Sequence, residues 1–328
     1  LCAFFTVFTG GSGVTILALG GLLFPALLKD GYRERFSLGL LTASGSLGLL
    51  FPPAMPLILY AIVAQVAPDD LFVAGIVPGV LLVMLAAAWG VREGLITGAG
   101  RRKFVGPELR SALWEAKWEL SIPFVVLGVL FSGSATLVET AAFTALYAAI
   151  IQGVVHRDFT LGRGLHQAFS ECVVLVGGVL IILGVAVGFT AYLYDADVPF
   201  RLVDWAEENV GSRLMFLFGL NIFLLLVGCV MDIFSATFVV VPLIVPVAEQ
   251  FGVHPLHLGI IFIANLELGF LTPPVGLNLF LASYRFDRPL LDVYRASMPL
   301  LAILGFGVLI ITYVPWLTLG LVEWLGRI

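Results

Sequence analysis

The chain has 328 residues, of which 60% are hydrophobic and only 12% are charged, with a formal net charge of −5. Soluble domains are about 45–50% apolar and about 25% charged, so this composition excludes an ordinary soluble domain and indicates a polytopic membrane protein. The apolar runs are long and do not alternate with polar residues, which excludes a β-barrel and predicts an all-α fold.

Apolar stretches alternate along the chain with polar connectors that carry the lysines and arginines. In chain order the stretches cover residues 1–28, 36–66, 71–91, 117–132, 135–155, 169–193, 213–247, 258–284 and 297–322. A single membrane-spanning helix needs about 20 apolar residues. Several of these stretches are longer or are interrupted by Gly and Pro, which indicates more than one plain helix.

The connectors divide the basic residues unequally between the two membrane faces. We let 1–28 and 213–247 enter and leave on one side, and let every other stretch cross. Four connectors then share one face, with three, six, two and three basic residues in 29–35, 92–119, 156–168 and 285–296. The other face has only Arg201, Arg213 and Arg327. The positive-inside rule makes the first face cytoplasmic and predicts 92–119 as a cytoplasmic linker, whose amphipathic second half forms an interfacial helix.

Two interruptions of the apolar stretches share one pattern. The segments "GSLGLLFPPAMP" (45–56) and "GFLTPPVGLNLF" (269–280) each contain two adjacent prolines. One constant offset along the chain superposes five Gly or Pro positions: Gly48 on Gly269, Pro52 on Pro273, Pro53 on Pro274, Pro25 on Pro246 and Gly31 on Gly252. In the topology above the two copies have opposite orientations. Inverted repeats with matching breaks are typical of secondary transporters, where broken helices leave main-chain groups free for ligands. The alternative is a proline kink that neighbouring helices satisfy.

These segments resemble the large membrane subunit of TRAP transporters, the tripartite ATP-independent periplasmic family. "FTGGSGVTILALGGLLFPALLKDGY" (8–32) resembles the family's first hairpin, and "GSLGLLFPPAMPLILYA" (45–61) resembles its first broken helix. "GCVMDIFSATFVVVPLIVPVAEQFGVHPLHLGI" (228–260) is similar to the second hairpin, and "NLELGFLTPPVGLNLF" (265–280) to the second broken helix. "SATLVETAAFTALYA" (134–148) resembles a segment with a Thr-Pro-Thr-Glu core, in which Leu137 and Val138 here replace Pro-Thr.

The resemblance covers essentially the whole chain and implies an N-terminally truncated, inverted-repeat elevator transporter. Its first half would be residues 1–91, with a re-entrant hairpin at 1–28, a broken helix at 36–66 and a helix at 71–91. The cytoplasmic linker 92–119 would follow. The second half, 120–328, would hold helices 117–132, 135–155 and 169–193, the hairpin 213–247, the broken helix 258–284 and the helix 297–322.

The resemblance also implies a function. We expect sodium-coupled import of a small carboxylate across the bacterial inner membrane, with Na⁺ as coupling ion, no other metal or cofactor, and no enzymatic activity. The expected partners are a small membrane subunit, a periplasmic substrate-binding protein and the lipid bilayer, and no nucleic acid. The alternative is a sodium/dicarboxylate symporter of related architecture that works without a binding protein. A membrane hydrolase is disfavoured because the sequence has no His-Glu-x-x-His motif.

By resemblance, two pseudo-symmetric sodium sites would each lie between a hairpin tip and a break. The first would use the carbonyls of Gly48, Phe51 and Pro53 with a hydroxyl of Thr6, Thr9 or Ser12. The second would use Gly228, Gly269, Thr272 and Val275. Oxygen ligands suit a hard cation. For Ser12 and Thr272, helix capping or a bond to their own helix is the alternative.

Four further polar residues are candidates for contact with substrate or for coupling: Asp232, Glu139, Asn265 and Asn278. Asp232 lies deep in an apolar run, where a charge is costly and functional by default, with a helix cap as the alternative. Glu139 lies in a predicted first turn, where the helix dipole also explains an acid. Glu267 precedes the second break and is a weaker candidate. His254 and His257 are predicted to lie on the periplasmic surface.

Overall fold

The computed structural model describes residues 1–99, 106–131, 135–156 and 163–328. Within these ranges every regular element is a helix, which confirms the all-α prediction. Among the described residues, seven helices are long and apolar enough to cross a membrane. Parts of the predicted connectors 92–119 and 156–168, and residues 132–134 at the predicted helix boundary, lie outside the described residues. Residues 1–100 and 184–328 form one compact unit, and 101–183 form another.

The first unit begins with a helical hairpin and an interrupted helix. Helices α1 (Cys2–Thr9) and α2 (Ser12–Lys29) meet at Gly10, whose φ of 66° ends α1 in the left-handed conformation that glycine adopts without strain. Helix α3 (Glu34–Ser44) stops at the first Gly/Pro segment, and α4 (Met55–Val63) follows it. Helix α5 (Pro68–Thr97) is longer than the predicted 71–91.

The second unit contains shorter segments around the predicted linker. Helices α6 (Gly106–Glu115) and α7 (Lys117–Phe131) follow one another, and α8 (Leu137–Ile150) continues as a π-helical turn (Ile151–Val155). Helix α9 (Arg163–Asp195) begins in this unit. All residues of α6 are exposed, and the Lys117 ammonium lies 3.7 Å from the ring centroid of exposed Trp114. This combination of tryptophan and basic residues is typical of a helix at a membrane interface.

The remaining helices return to the first unit. They are α10 (Val198–Asn209), α11 (Arg213–Val230), α12 (Ile233–Gln250), α13 (Pro255–Gly269), α14 (Leu277–Phe286), α15 (Leu290–Tyr313) and α16 (Trp316–Trp324). The prediction of one helix over 297–322 is wrong, because α15 begins earlier and ends before Pro315, and α16 follows as a separate helix. Proline cannot donate the backbone hydrogen bond that would continue α15.

Helices of the two sequence repeats pack in matching pairs within the first unit. Helix α2 contacts α14, and α12 contacts α4, so the second helix of each hairpin meets the second half of the other interrupted helix. Likewise α3 contacts α15 and α13 contacts α5. One buried cluster shows the result, with side chains from α2, α3, α14 and α15: Ile16, Leu38, Leu279, Ala282, Val293 and Ala296. The two repeats therefore share this part of the core.

Candidate functional site

The first interruption, residues 45–54, is a series of tight turns rather than a helix. The N–H groups of Leu49, Phe51 and Ala54 donate to the carbonyls of Ser46, Gly48 and Phe51 at 3.0, 3.1 and 3.0 Å. The Pro52–Pro53 peptide bond in this segment is cis. The predicted ligand carbonyls of Gly48 and Phe51 therefore each accept one hydrogen bond, and each keeps a second lone pair.

This first break rests directly on α1. A Cβ atom at Gly48 would overlap the carbonyl oxygen of Ala3 and would lie 2.6 Å from the Cβ of Thr6, so only glycine fits this approach. The fully buried Thr6 hydroxyl lies 2.8 Å from the Gly45 carbonyl oxygen and 2.6 Å from the Thr15 hydroxyl. The structure thus brings Thr6 and Gly48 together, as the sequence analysis expected.

The second break repeats this contact between α11 and α13. A Cβ atom at Gly269 would lie 2.5 Å from the carbonyl carbon of Gly228 and 2.6 Å from its Cα. The Thr272 N–H donates to the Gly269 carbonyl at 2.9 Å, which is the equivalent, in the second repeat, of the Phe51–Gly48 turn. Gly228 is likewise the repeat equivalent of Val7, whose amide lies beside Gly48. Both breaks therefore share the close glycine contact and the turn that follows it.

Side chains and amides of the second hairpin hold the second break in place. The Cys229 thiol lies 3.1 Å from the Thr272 carbonyl oxygen, and the Cys229 carbonyl accepts from the Gly276 N–H at 3.0 Å. The Thr272 hydroxyl donates to the Leu268 carbonyl at 2.9 Å, the bond to its own helix that was the alternative for this residue. Val275 is exposed just beyond the cis Pro273–Pro274 bond. Cys229 was not among the predicted site residues, and its position beside Gly228 was the available signal.

Ser12 and Asn278 meet where two helices begin. The Ser12 hydroxyl in the first turn of α2 donates to Oδ1 of Asn278, in the first turn of α14, at 2.7 Å. Both side chains are buried, and Nδ2 of Asn278 has no hydrogen-bond partner among the described residues. Thr9 makes only long contacts, at 3.4 Å to the carbonyls of Thr6 and Gly11. The sequence assigned Ser12 to sodium and Asn278 to substrate, but gave no sign that they touch.

Asp232 and Glu139 both cap helices. Asp232 precedes α12, and its carboxylate accepts from the backbone amides of Phe234 and Ser235 at 2.9 and 3.0 Å. Glu139 forms a capping box with Thr136 at the start of α8, where it accepts from the Thr136 N–H at 2.8 Å. Asp232 therefore has the capping role that was its alternative, and Glu139 lies in a first turn, where its alternative placed it, and caps the helix as well.

Asn265 belongs to a buried polar network. Its amide nitrogen donates to Oδ1 of Asn221 at 2.8 Å, and the Thr312 hydroxyl donates to the same oxygen at 3.0 Å. His257, also on α13, lies 2.8 Å from the Thr318 hydroxyl and is fully buried. The prediction that His257 lies on the surface is wrong, because α16 covers this end of α13.

The chemistry of the breaks is that of main-chain oxygens at helix ends. Helices α1 and α3 end close to one another, as do α11 and α13, and the C-terminal end of a helix carries unpaired carbonyls and a partial negative charge. No cluster of three or more His, Cys, Asp or Glu side chains suited to a metal ion occurs among the described residues. Each break thus offers main-chain oxygen ligands, and the buried carboxyl group of Glu267 lies beside the second break, two residues before α13 ends.

The family model for the tripartite ATP-independent periplasmic transporter, DctM component, matches residues 1–317. The chain belongs to this family. The resemblance to TRAP transporters is thereby confirmed, and with its apolar helices the chain is a multi-pass membrane protein.

Three DctM-family relatives show how much of such a protein the chain represents. The C4-dicarboxylate TRAP transporter large permease protein DctM of Pseudomonas aeruginosa is 34% identical over 99% of this chain and 76% of its own length. The isethionate TRAP transporter permease protein DctMQ of Oleidesulfovibrio alaskensis is 34% identical over 96% of this chain and 50% of its own length. The sialic acid TRAP transporter large permease protein SiaM of Vibrio cholerae is 33% identical over 97% and 75%. The chain thus spans about half of one relative and about three quarters of the other two.

Proposed function

We propose that this chain is the large permease subunit of a sodium-coupled TRAP transporter that imports a small organic acid. Family membership supports a transport role, and the relatives are named for C4-dicarboxylates, isethionate and sialic acid, which are all organic acids. The family description is of a tripartite system, which supports two further components. We assign these as a small membrane subunit and a periplasmic binding protein, in the bacterial inner membrane.

The paired helix ends are the observation that carries the sodium proposal. In each repeat a glycine of the break contacts a hairpin helix: Gly48 contacts α1 from Ala3 to Val7, and Gly269 contacts the last turn of α11. Two helix C-termini that converge attract a cation, since their partial charges and free carbonyl lone pairs add. We assign the first site to Thr6, Gly48, Phe51 and Pro53, and the second to Gly228, Gly269, Thr272 and Val275.

The contacts between helices of different repeats support an inverted-repeat elevator transporter. Because α2 contacts α14 while α12 contacts α4, the contact pattern is unchanged when the repeats are interchanged. Two copies related by a two-fold axis in the membrane plane give this pattern, and such repeats allow alternating access around a central site. The two hairpins and two interrupted helices would move together as the transport domain.

We assign the binding site for the acid group of the substrate to the place where Ser12 and Asn278 meet. Helices α2 and α14 both begin there, and helix N-termini attract anions. The unpartnered Nδ2 of buried Asn278 supplies a donor, and Ser12 fixes its direction by binding Oδ1. This assigns Ser12 to positioning rather than to sodium.

Uptake into proteoliposomes that contain the complete transporter tests the proposal. Substrate accumulation should require both an inward sodium gradient and the binding protein, and potassium should not replace sodium. Uptake that is indifferent to sodium contradicts the coupling. Sodium-driven uptake of free substrate without the binding protein supports the dicarboxylate-symporter alternative instead.

Three variants separate the sodium site from the acid site. Thr272→Val removes a hydroxyl at constant shape and should raise the sodium concentration for half-maximal uptake, whereas Thr272→Ser should not. Asn278→Asp places a negative charge near the substrate acid and should raise the apparent KM for substrate, while sodium-induced thermal stabilisation persists. An unchanged KM in Asn278→Asp removes this residue from the substrate site.

A further inference from the structure

A cavity of about 430 Å³ lies where α3 and α15 begin. Its volume is within the range of ligand sites in proteins, about 300–1,000 Å³. The lining side chains come from the beginning of α3, from the loop after α14 and from the beginning of α15: Glu34, Arg35, Leu38, Arg288, Asp292 and Arg295. None of them belongs to the sodium or substrate sites proposed above, so the cavity has no assigned role.

The charged groups of this cavity leave a net positive charge. Three arginines and two acids line it, and Arg288 forms an ion pair with one of the acids, Glu34. The Arg295 guanidinium has no ion pair or hydrogen bond with another described residue. Asp292 is the second acid, and it offsets only one of the two remaining guanidinium charges. An oxyanion in the cavity would supply the missing negative charge.

Hydrogen bonds hold two of the arginines in place. A guanidinium N–H of Arg35 donates to the main-chain carbonyl of Arg295 at 2.9 Å, which joins the beginnings of α3 and α15. The Arg288 N–H donates to the Ser283 carbonyl at 3.2 Å, and the Ser283 hydroxyl donates to the Arg288 carbonyl at 2.6 Å. A guanidinium has five N–H donors, so Arg35 keeps donors for a ligand. The site is therefore positioned before any ligand arrives.

The fold itself does not require charges at this place. The offset between the repeats takes α3 to α13 and α15 to α5, which also pack against each other. It takes Arg35 to Leu256 and Arg295 to Ala74, and both of these equivalents are buried. The second pair of helices thus begins in a closed apolar contact, where the first pair begins in an open, charged cavity. The arginines are therefore a feature of the cavity and not of the architecture.

An exposed apolar stripe runs from the cavity along α15. Its positions are spaced by three or four residues, as one helix face requires, and Arg295 is the charged member of a stripe that otherwise contains Leu291, Met298, Ala302, Phe306, Leu309 and Tyr313. At 1.5 Å per residue, Arg295 and Tyr313 are about 27 Å apart along the helix. The hydrocarbon core of a bilayer is about 30 Å thick, so the stripe has the length that places Arg295 at the depth of the lipid headgroups.

We propose that the cavity binds the headgroup phosphate of an anionic phospholipid, whose acyl chains lie along the apolar stripe of α15. Arg35 and Arg295 provide guanidinium forks, which bind two phosphate oxygens at once. The continuous stripe favours a lipid over a free anion, and the net positive charge favours an anionic headgroup over a zwitterionic one. By the positive-inside assignment this is the cytoplasmic leaflet. The bound lipid joins α3 and α15, one helix from each repeat.

Lipid binding to the purified full chain in an uncharged detergent tests the proposal without any transport. Native mass spectrometry should show retained phosphatidylglycerol, and this lipid should raise the melting temperature. Phosphatidylcholine and inorganic phosphate at the same concentration should do neither. Equal stabilisation by phosphatidylcholine overturns the recognition of charge, and equal stabilisation by inorganic phosphate overturns the assignment to a lipid. A chain that retains no phosphatidylglycerol overturns the proposal as a whole.

Charge-removing variants test whether this cavity is the place of binding. Arg295→Gln should weaken phosphatidylglycerol binding about fivefold, the contribution of one basic residue near an anionic lipid surface. Arg35→Gln, on the other helix, should weaken it in the same way, so the test does not depend on one variant. Arg201→Gln is the matched control, because Arg201 is exposed on α10 and does not line the cavity. Wild-type affinity in both cavity variants, or an equal loss in Arg201→Gln, overturns the assignment of the lipid to this cavity.

Discussion

Replacement of Gly269 by Ala should weaken sodium binding at the second break. The new Cβ would lie 2.5 Å from the carbonyl carbon of Gly228, well inside the 3.4 Å at which ordinary contact begins. All three nearest atoms belong to the backbone of Gly228 and Cys229, so a side-chain rotation cannot relieve the overlap. The ends of α11 and α13 must therefore move apart. Overpacking of this kind costs about 1–3 kcal/mol.

If sodium binds only while the ends of α11 and α13 are in contact, this strain raises the free energy of the sodium-bound state. A penalty of about 1–3 kcal/mol lowers an affinity about 5- to 150-fold. Gly228→Ala should have a smaller effect, because its Cβ would meet Leu266 Cα at 2.9 Å and Gly269 Cα at 3.2 Å. The order of effect, Gly269→Ala above Gly228→Ala, follows from the structure alone.

The assay is the sodium concentration for half-maximal uptake, with sodium-induced thermal stabilisation of the purified protein as a measure independent of transport. Gly219→Ala is the matched control, because this glycine is also on α11 and no described atom lies within 4 Å of the position that its new Cβ would take. It should leave both values unchanged. A half-saturating sodium concentration in Gly269→Ala equal to that of the wild type would refute the reasoning.

Two capping residues and one buried network give further predictions. Asp232→Ala should lower stability by about 1 kcal/mol, while Asp232→Asn, which can still cap, should keep both stability and uptake; loss of uptake by a stable Asp232→Asn would show that the charge itself acts in transport. Glu139→Ala should lower the melting temperature without changing the sodium dependence of uptake, and a changed dependence would contradict a purely capping role. Asn221→Ala removes the acceptor of one Asn265 N–H, while the Thr312 hydroxyl keeps its bond to the Val308 carbonyl at 2.9 Å, so thermal unfolding should show a loss of about 1–3 kcal/mol for the one donor left unpaired; unchanged stability would mean that this donor finds another partner.

The sequence predicted the positions of the breaks because proline and glycine act locally. Helix α13 ends at Gly269, whose carbonyl Pro273 could not pair, whereas α3 already ends at Ser44, just before Gly45 and ahead of Pro52. The Gly228–Gly269 contact could be predicted only from the resemblance to the TRAP family, because nothing local in either segment shows which glycines are in contact. The Ser12–Asn278 bond joins residues 266 positions apart. The burial of His257 depends on α16, whose separation from α15 the hydropathy pattern did not show.

The two breaks have similar backbone contacts, but the threonine hydroxyl beside each contact comes from a different position of the repeat. This supports the proposal that both breaks bind a cation. The offset between the repeats takes Thr6 to Val227 and Phe51 to Thr272, so each break has one of these threonines, contributed by the hairpin in the first repeat and by the break in the second. Thr6 contacts the Cys2 carbonyl at 2.9 Å, and Thr272 contacts the Leu268 carbonyl at 2.9 Å, each four residues earlier in the chain. The Thr272 hydroxyl thereby keeps its lone pairs for another partner, whereas the Thr6 hydroxyl also lies 2.6 Å from the Thr15 hydroxyl and keeps one lone pair when Thr15 donates to it. Random divergence of two structural kinks would not retain one hydroxyl beside each glycine contact, whereas two cation sites that each need one hydroxyl oxygen would.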